Sequence, residues 1–467
     1  MPRTALPAPN RRRGTADEVE LGMANDLLSR LRGESATPAS LVSELRSLAL
    51  PLEDSTDLDP LLDRIGDARY VLLGEATHGT SEFYTWRTRI SQRLIAEKGF
   101  SFIAVEGDWP DCYAVNRFVK GRAGESAEQV LHAFARWPAW MWANREVVQL
   151  IEWLRAHNDS HPEREPTGFY GLDVYSLWDS MDAVLEYLQR LDPDLARNAR
   201  RAYGCFEPYA EDAQEYARAT ALVPTSCEDE AVRILHALRS RRSEFREDGP
   251  EAYFNAEQNA LVARNAELYY RTMVRGGSAS WNVRDNHMVE TLERLMAHHG
   301  PRAKAIVWEH NTHIGDARFT DMARSGMVNV GQLVRQERER DGVVLVGFGT
   351  HRGTVIASRE WGAPMERMNV PAAREGSIED AMHRAQEGDA LFLFDRSKDS
   401  DIGEPRGHRA IGVVYDPRTE HWGNYVPTIL TGRYDAFLYI DETKGVDPLH
   451  MPVRMDGEVP ETYPTGQ

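Results

Sequence analysis

Imidazole and carboxylate side chains recur in four short segments of this chain. They are Glu75 and His78 in GEATHGT, Glu106 and Asp108 in EGDWPD, Asp173 after GFYGL, and Glu309, His310 and His313 in EHNTH. Imidazole titrates near neutral pH, and a neighbouring carboxylate orients it and stabilises its charged form, so these residue types together suit general acid–base catalysis. Each alone has a plainer reading. An acidic residue after a strand is a common helix N-cap, which applies above all to Asp173 and Glu309, and His78 sits in a turn between Thr77 and Gly79. The pattern shared by four segments outweighs any single member. His310 and His313, with Glu75 or Glu106, are also metal-ligand types, but a spacing of three in an expected loop is not HExxH, so acid–base use ranks ahead.

The elements that must place these groups are short apolar runs at 70–73, 102–105, 168–172, 305–308, 343–348, 391–394 and 436–440. Brief runs rich in Val, Ile, Leu and Phe suit strands buried on both faces. Helical patterning fills 81–98, 146–157, 180–189, 256–274 and 289–299, the last stopped by Gly300 and Pro301. Strands alternating with helices predict an α/β fold with a mostly parallel central sheet. The stretch 112–300 is mainly helical and reads as a large inserted layer. Residues 1–40 are expected to form a tail and leading helix, with 1–17 disordered, and 41–467 a single catalytic domain. Each polar segment follows a strand. In parallel sheets ligands bind beyond the carboxyl ends, so all four are expected at one edge.

The whole chain limits the partners. Its 467 residues, 42% of them hydrophobic, suffice for a substantial core. A formal net charge of −18 repels phosphate backbones and argues against nucleic acid. No apolar run is long enough to span a bilayer, and Arg11, Arg12 and Arg13 lead into a polar stretch, not into the apolar core of an export signal. Cys112, Cys205 and Cys227 are odd in number and widely spaced, which suggests no disulfide framework, a buried free thiol at Cys205, and a cytoplasmic location.

Several familiar motifs fail. Gly74 to Thr80 has the glycine spacing of a phosphate loop, but Thr80 stands where lysine is required and Glu75 would repel phosphate. Gly347, Gly349 and Gly353 are spaced one residue too long for a dinucleotide turn and read as a turn between strands. No G-x-S-x-G elbow occurs. Trp137, Trp140 and Trp142 suit either core packing or the apolar wall of a cleft.

Longer segments carry a resemblance. LGEATHGTSEFYTWR, FIAVEGDWPDCYAVNRFVKG, WPAWMWANREV, GFYGLDVYSL, WEHNTHIGDAR, RAIGVVY and YDAFLYI resemble the erythromycin esterase family over almost the whole chain. The resemblance implies ester or lactone hydrolysis without a metal or other cofactor. It puts the essential histidine on His78, supporting carboxylates on Glu75 and Glu106, an arginine on Arg87 and a later histidine pair on His310 and His313. Asp108, Trp109, Trp140, Trp142 and Asp173 are expected to line the substrate, a small-molecule ester or lactone. The expected reaction is direct attack by water, with His78 taking the proton and Arg87 binding the oxyanion or balancing the carboxylates. Two alternatives stand beside it: a metal-assisted hydrolase or transferase at the same residues, and a small-molecule binding protein without turnover.

Overall fold

Four-residue runs such as Tyr70–Leu73 and Ala305–Trp308 have no polar face, and the fold gives them none. Alternate residues enter two separate cores: Val71, Leu73, Ile103, Val105, Ile306 and Trp308 on one side, Tyr70, Leu72, Phe102, Ala104, Ala305 and Val307 on the other. The period of two thus survives inside a wholly apolar run. The computed structural model describes residues 36–124, 126–209, 213–222, 226–245, 249–273, 277–395 and 401–450. The expected tail 1–17 and most of the leading segment 1–40 lie outside them.

The strands are β1 (Leu50–Pro51), β2 (Tyr70–Leu73), β3 (Phe102–Asp108), β4 (Gly168–Asp173), β5 (Ala305–Trp308), β6 (Val343–Ser358), β7 (Met365–Val370), β8 (Ala390–Leu393), β9 (Arg406–Arg409), β10 (Tyr425–Thr428) and β11 (Ala436–Thr443). The main sheet runs β1-β8-β11-β6-β2-β5-β3-β4, with β7 paired to β6. From β4 to β11 the neighbours are parallel, and β8, β1 and β7 join antiparallel. The α/β fold with a mostly parallel sheet is therefore as expected. One expectation fails: β6 continues through Gly347, Gly349 and Gly353, so these glycines lie within one long strand and make no turn.

Six helices matter here: α1 (Ser81–Lys98), α2 (Trp109–Val119), α3 (Pro250–Met273), α4 (Ser278–His299), α5 (Asn311–Ile314) and α6 (Ile378–Ala385). Phe83, Trp86, Ile90 and Leu94 of α1 pack on one sheet face, and Met288, Leu292 and Leu295 of α4 on the other. The inserted helices, from Leu177–Leu191 through α3, build a third core with Val184, Leu188, Leu235, Leu238 and Leu261. Within it Cys205 and Cys227 are disulfide-bonded, which corrects the expected free thiol at Cys205; Cys112 is the buried free cysteine. Cys205 follows the helix Pro193–Tyr203 and Cys227 precedes the helix Glu228–Ser240, so their 22-residue separation gave no sign of the pairing. No described helix is long and apolar enough to cross a membrane.

Candidate active site

The first half of the site grows from the end of β2. The turn after it is pressed tightly into the fold: a Cβ on Gly79 would meet the Ile356 carbonyl oxygen of β6 at 1.9 Å. The Tyr84 hydroxyl donates to the His78 carbonyl at 2.9 Å, fixing the backbone. His78 Nδ1 lies 2.9 Å from Glu75 Oε1, and Arg87 Nη2 donates to Glu75 Oε2 at 2.5 Å. Arg87, on the second turn of α1, has no exposed surface and lies over the rings of Tyr84 and Trp308, 4.5 and 4.6 Å from their centroids. A guanidinium over aromatic faces gains cation–π attraction, yet among the described residues its one anionic partner is Glu75.

The second half grows from β3 and β5. Glu106 Oε2 accepts the His310 backbone N–H at 2.8 Å, and Oε1 accepts Arg284 Nη2 at 2.7 Å. Arg284, from α4, also forks onto Asp173, with Nε to Oδ1 at 3.0 Å and Nη2 to Oδ2 at 2.7 Å. His313 Nδ1 donates to Asp285 Oδ1 at 3.0 Å, and Trp281 stacks flat on the ring with centroids 4.5 Å apart. The halves meet where the His78 and His310 rings contact, 4.9 Å between centroids. Arg87, Glu75, His78, His310, Glu106, Arg284 and His313 thus form one continuous chain of contacts.

Charge in this cluster is strongly perturbed. Burial opposes charge on His313, but Asp285 and then Glu106 outweigh it and hold its proton affinity well above the usual imidazole range. Arg284 Nη1 donates to His313 Nε2 at 3.0 Å, a contact only an unprotonated nitrogen accepts. Charging His313 therefore requires that guanidinium to move further onto Glu106 and Asp173. Burial raises Asp173, yet Arg284 overcomes it and leaves the carboxyl below its ordinary value. Glu309 has no exposed surface and no hydrogen bond to either carboxyl oxygen among the described residues, and burial holds it well above the carboxylate range.

The structure brings together all six residues expected to be catalytic: Glu75, His78, Arg87, Glu106, His310 and His313. The expected loop around the histidine pair is instead the short helix α5, with His310 as its N-cap. The five residues expected to line a substrate divide. Asp173 is joined to the cluster, but its oxygens are committed to Arg284. Trp142 donates from Nε1 to the Glu106 carbonyl at 3.1 Å. Asp108 ends β3 and pairs with Arg136; burial, opposed by Arg136, leaves its pKa at about 6. Trp140 packs edge-on against Trp137 in the core. Trp109 is not with the others: it stacks on Tyr113 and Tyr170 and donates to Asn255, inside the core between the sheet and α3.

Sequence reasoning missed Arg284, Asp285 and Trp281. A signal existed. Trp281, Arg284, Asp285, Met288, Leu292 and Leu295 follow helical spacing along one buried stripe of α4, and charged residues on such a stripe need partners. The expected helix began only at 289, past the charges.

The sequence model of the family described as erythromycin esterase matches residues 95–443. The chain belongs to the erythromycin esterase family. It is accordingly an esterase-type hydrolase. The family match includes Glu106, Arg284, His310 and His313, whereas Glu75, His78 and Arg87 precede it. YbfO of Bacillus subtilis (strain 168), whose name assigns it provisionally to the hydrolases, is 21% identical over 417 residues, covering 84% of this chain and 89% of its own length. Erythromycin esterase type II of Escherichia coli is 21% identical over 354 residues, covering 71% of this chain and 82% of its own. Among solved structures, a succinoglycan biosynthesis protein superposes with a TM-score of 0.73 at 22% identity, over 88% of this chain and all of that one. A mutant of erythromycin esterase EreC in its open conformation gives 0.63 at 16%, over 90% and 100%. At these identities the structural likeness establishes the fold.

Among the described residues no group of three or more His, Cys, Asp or Glu side chains is arranged to hold a metal ion. His313 has one nitrogen on Asp285 and the other on Arg284.

Proposed function

We propose that the protein hydrolyses a small carboxylic ester or lactone by direct attack of water, with His78 as general base and no covalent enzyme intermediate. The observation that carries this reading is the buried His78–Glu75 contact at 2.9 Å, with Arg87 behind the carboxylate. A carboxylate at Nδ1 calls for the Nδ1–H tautomer, which makes Nε2 the proton acceptor. His310 has the opposite tautomer. We assign it so because its Nδ1 faces the Thr312 N–H at 3.3 Å and accepts the Thr312 hydroxyl at 2.8 Å, which puts the hydrogen on Nε2. Touching rings thus offer an acceptor and a donor. Water gives its proton to His78 Nε2 as its oxygen bonds the acyl carbon. His310 Nε2–H supports the oxyanion. The C–O bond then breaks, and the leaving alkoxide takes the proton from the His78 imidazolium. Arg87 is read as the counter-charge of Glu75, since it is wholly buried. The hydroxyls of Thr77 and Thr80, beside His78 in sequence, bond each other at 2.5 Å and are not set up as nucleophiles.

The test is turnover of an ester and lactone panel by wild type and His78→Ala, with one single-turnover run in oxygen-18 water. The reading expects loss of about 10²-fold or more in His78→Ala and heavy oxygen in the acid product of the first turnover. Near-wild-type rates in the variant, or light oxygen in that first product, would overturn it.

A further inference from the structure

We propose that a second buried carboxylate–histidine pair, Glu379–His408, is a positioning unit that sets the site through Asn311. His408 Nδ1 lies 2.6 Å from Glu379 Oε1, and both residues are almost wholly buried. The pair comes from α6 and β9, far along the chain from the catalytic cluster. With Nδ1–H given to the carboxylate, Nε2 is an acceptor, and Asn311 Nδ2 donates to it at 3.2 Å. The amide orientation is fixed independently. Nδ2 also donates to the Phe348 carbonyl at 2.7 Å, and the Phe348 N–H donates to Oδ1 at 3.3 Å.

Asn311 is where the strand ends are tied together. It follows His310 directly, and its backbone N–H donates to the Glu75 carbonyl at 2.8 Å. Its own carbonyl accepts Arg433 Nη2 at 2.8 Å. A Cβ on Gly74 would lie 2.1 Å from Asn311 Oδ1, so the end of β2 rests on this side chain. Moving Asn311 therefore moves Glu75 and His310 together, and with them the acceptor and donor rings. Displacements of about 1 Å in such constellations cost on the order of 100-fold in rate. His408 touches no reacting atom in this scheme; it acts by holding Asn311 to β9, while Phe348 ties the same amide to β6.

Two substitutions separate positioning from simple core filling. Gln at 408 places an amide where Nε2 was and keeps an acceptor for Asn311, but loses Glu379. Asn at 408 reaches only as far as Nδ1, keeping Glu379 and losing Asn311. Positioning predicts a kcat fall of roughly 10-fold or more in His408→Asn with KM little changed, and a fall of about 3-fold or less in His408→Gln. A structural role through Glu379 predicts the reverse order. The turnover measurement rests on the esterase reading above, so a second readout stands apart from it: the NMR signal of the His310 ring Cε1–H. It shifts in His408→Asn and stays in His408→Gln if the proposal holds. If wild type cleaves no ester in the panel, the esterase reading fails and the ring signal alone decides. If His408→Asn does not fold, Asn311→Ser removes the His408 hydrogen bond together with both to Phe348, and an unchanged kcat in that variant overturns the proposal. Equal behaviour of the 408 variants, or the reverse order, overturns the proposal.

Discussion

Glu75 holds Arg87 on one oxygen and His78 on the other, so its two duties can be pulled apart. Glutamine keeps the shape but offers one acceptor and one donor, and its NH2 must face either Arg87 or the His78 Nδ1–H, both donors. Removing one partner of a buried ion pair costs about 3–5 kcal/mol. Arg87 has no relief, because it has no exposed surface and its Nε and Nη1 have no hydrogen-bond partner among the described residues. Glu75→Gln and Arg87→Met are therefore each expected to lose about that much stability. The double variant is expected to recover most of that loss, since no charge is left stranded and only the buried glutamine NH2 lacks an acceptor, a cost of about 1–3 kcal/mol. Turnover is expected to behave differently. Both variants lacking Glu75 leave His78 without its orienting anion, and rates should fall by about 10²–10⁴-fold. Stability is read from urea unfolding by tryptophan fluorescence, and kcat from an activated ester well below the lowest unfolding midpoint. A double variant with wild-type turnover would mean that Glu75 serves only Arg87. A double variant no more stable than Glu75→Gln would refute the coupling itself.

Other expectations concern charge elsewhere. Burial raises Glu309, so the folded state binds its proton more tightly than the unfolded chain; that stability is full at low pH and falls as pH rises above the ordinary glutamate value near 4.5. Glu309→Gln should flatten this slope in urea unfolding between pH 5 and 8, and parallel curves would refute the raised proton affinity. Burial lowers His287 to about 4, and Asn265 Nδ2 donates to its Nδ1 at 2.8 Å. The unfolded chain then binds the proton more tightly, and stability drops as pH falls from about 6.5 toward 4, by about 2 kcal/mol at pH 5. His287→Gln should remove that drop; an unchanged dependence would show that other groups cause it. Arg284→Met strands Glu106 and Asp173 and should cost about 3–5 kcal/mol, with only partial recovery in Arg284→Lys, which lacks the fork. Burial raises the Cys112 thiol well above its ordinary value, so the native protein should resist a thiol reagent until urea unfolds it; prompt labelling would contradict this.

The element positions were largely legible. The runs at 70–73 and 305–308 and the helix at 81–98 are as expected, because unbroken apolar runs and a helix stop at Gly99 are local signals. Boundaries failed where polar residues continue a buried element. β6 runs on to Ser358 past three glycines, and α4 begins at Ser278 and carries Arg284 and Asp285 into the interior. A charge reads as exposed until its partner is known. Trp109 was misplaced for the complementary reason: it follows the acidic strand end, but a helix rotates it into the core.

The one-dimensional pattern determined that Glu75, His78, Glu106 and His310 leave the carboxyl ends of parallel strands, since strands apolar on both faces must stack side by side and deliver those ends to one edge. Only the folded chain decided the pairings. Arg87 goes to Glu75 and Arg284, 178 residues from Glu106, neutralises that carboxylate, while Glu309, beside His310, has no hydrogen-bond partner among the described residues. Pairing energies depend on separations of a few ångströms in a medium without water, and distance along the chain does not encode them.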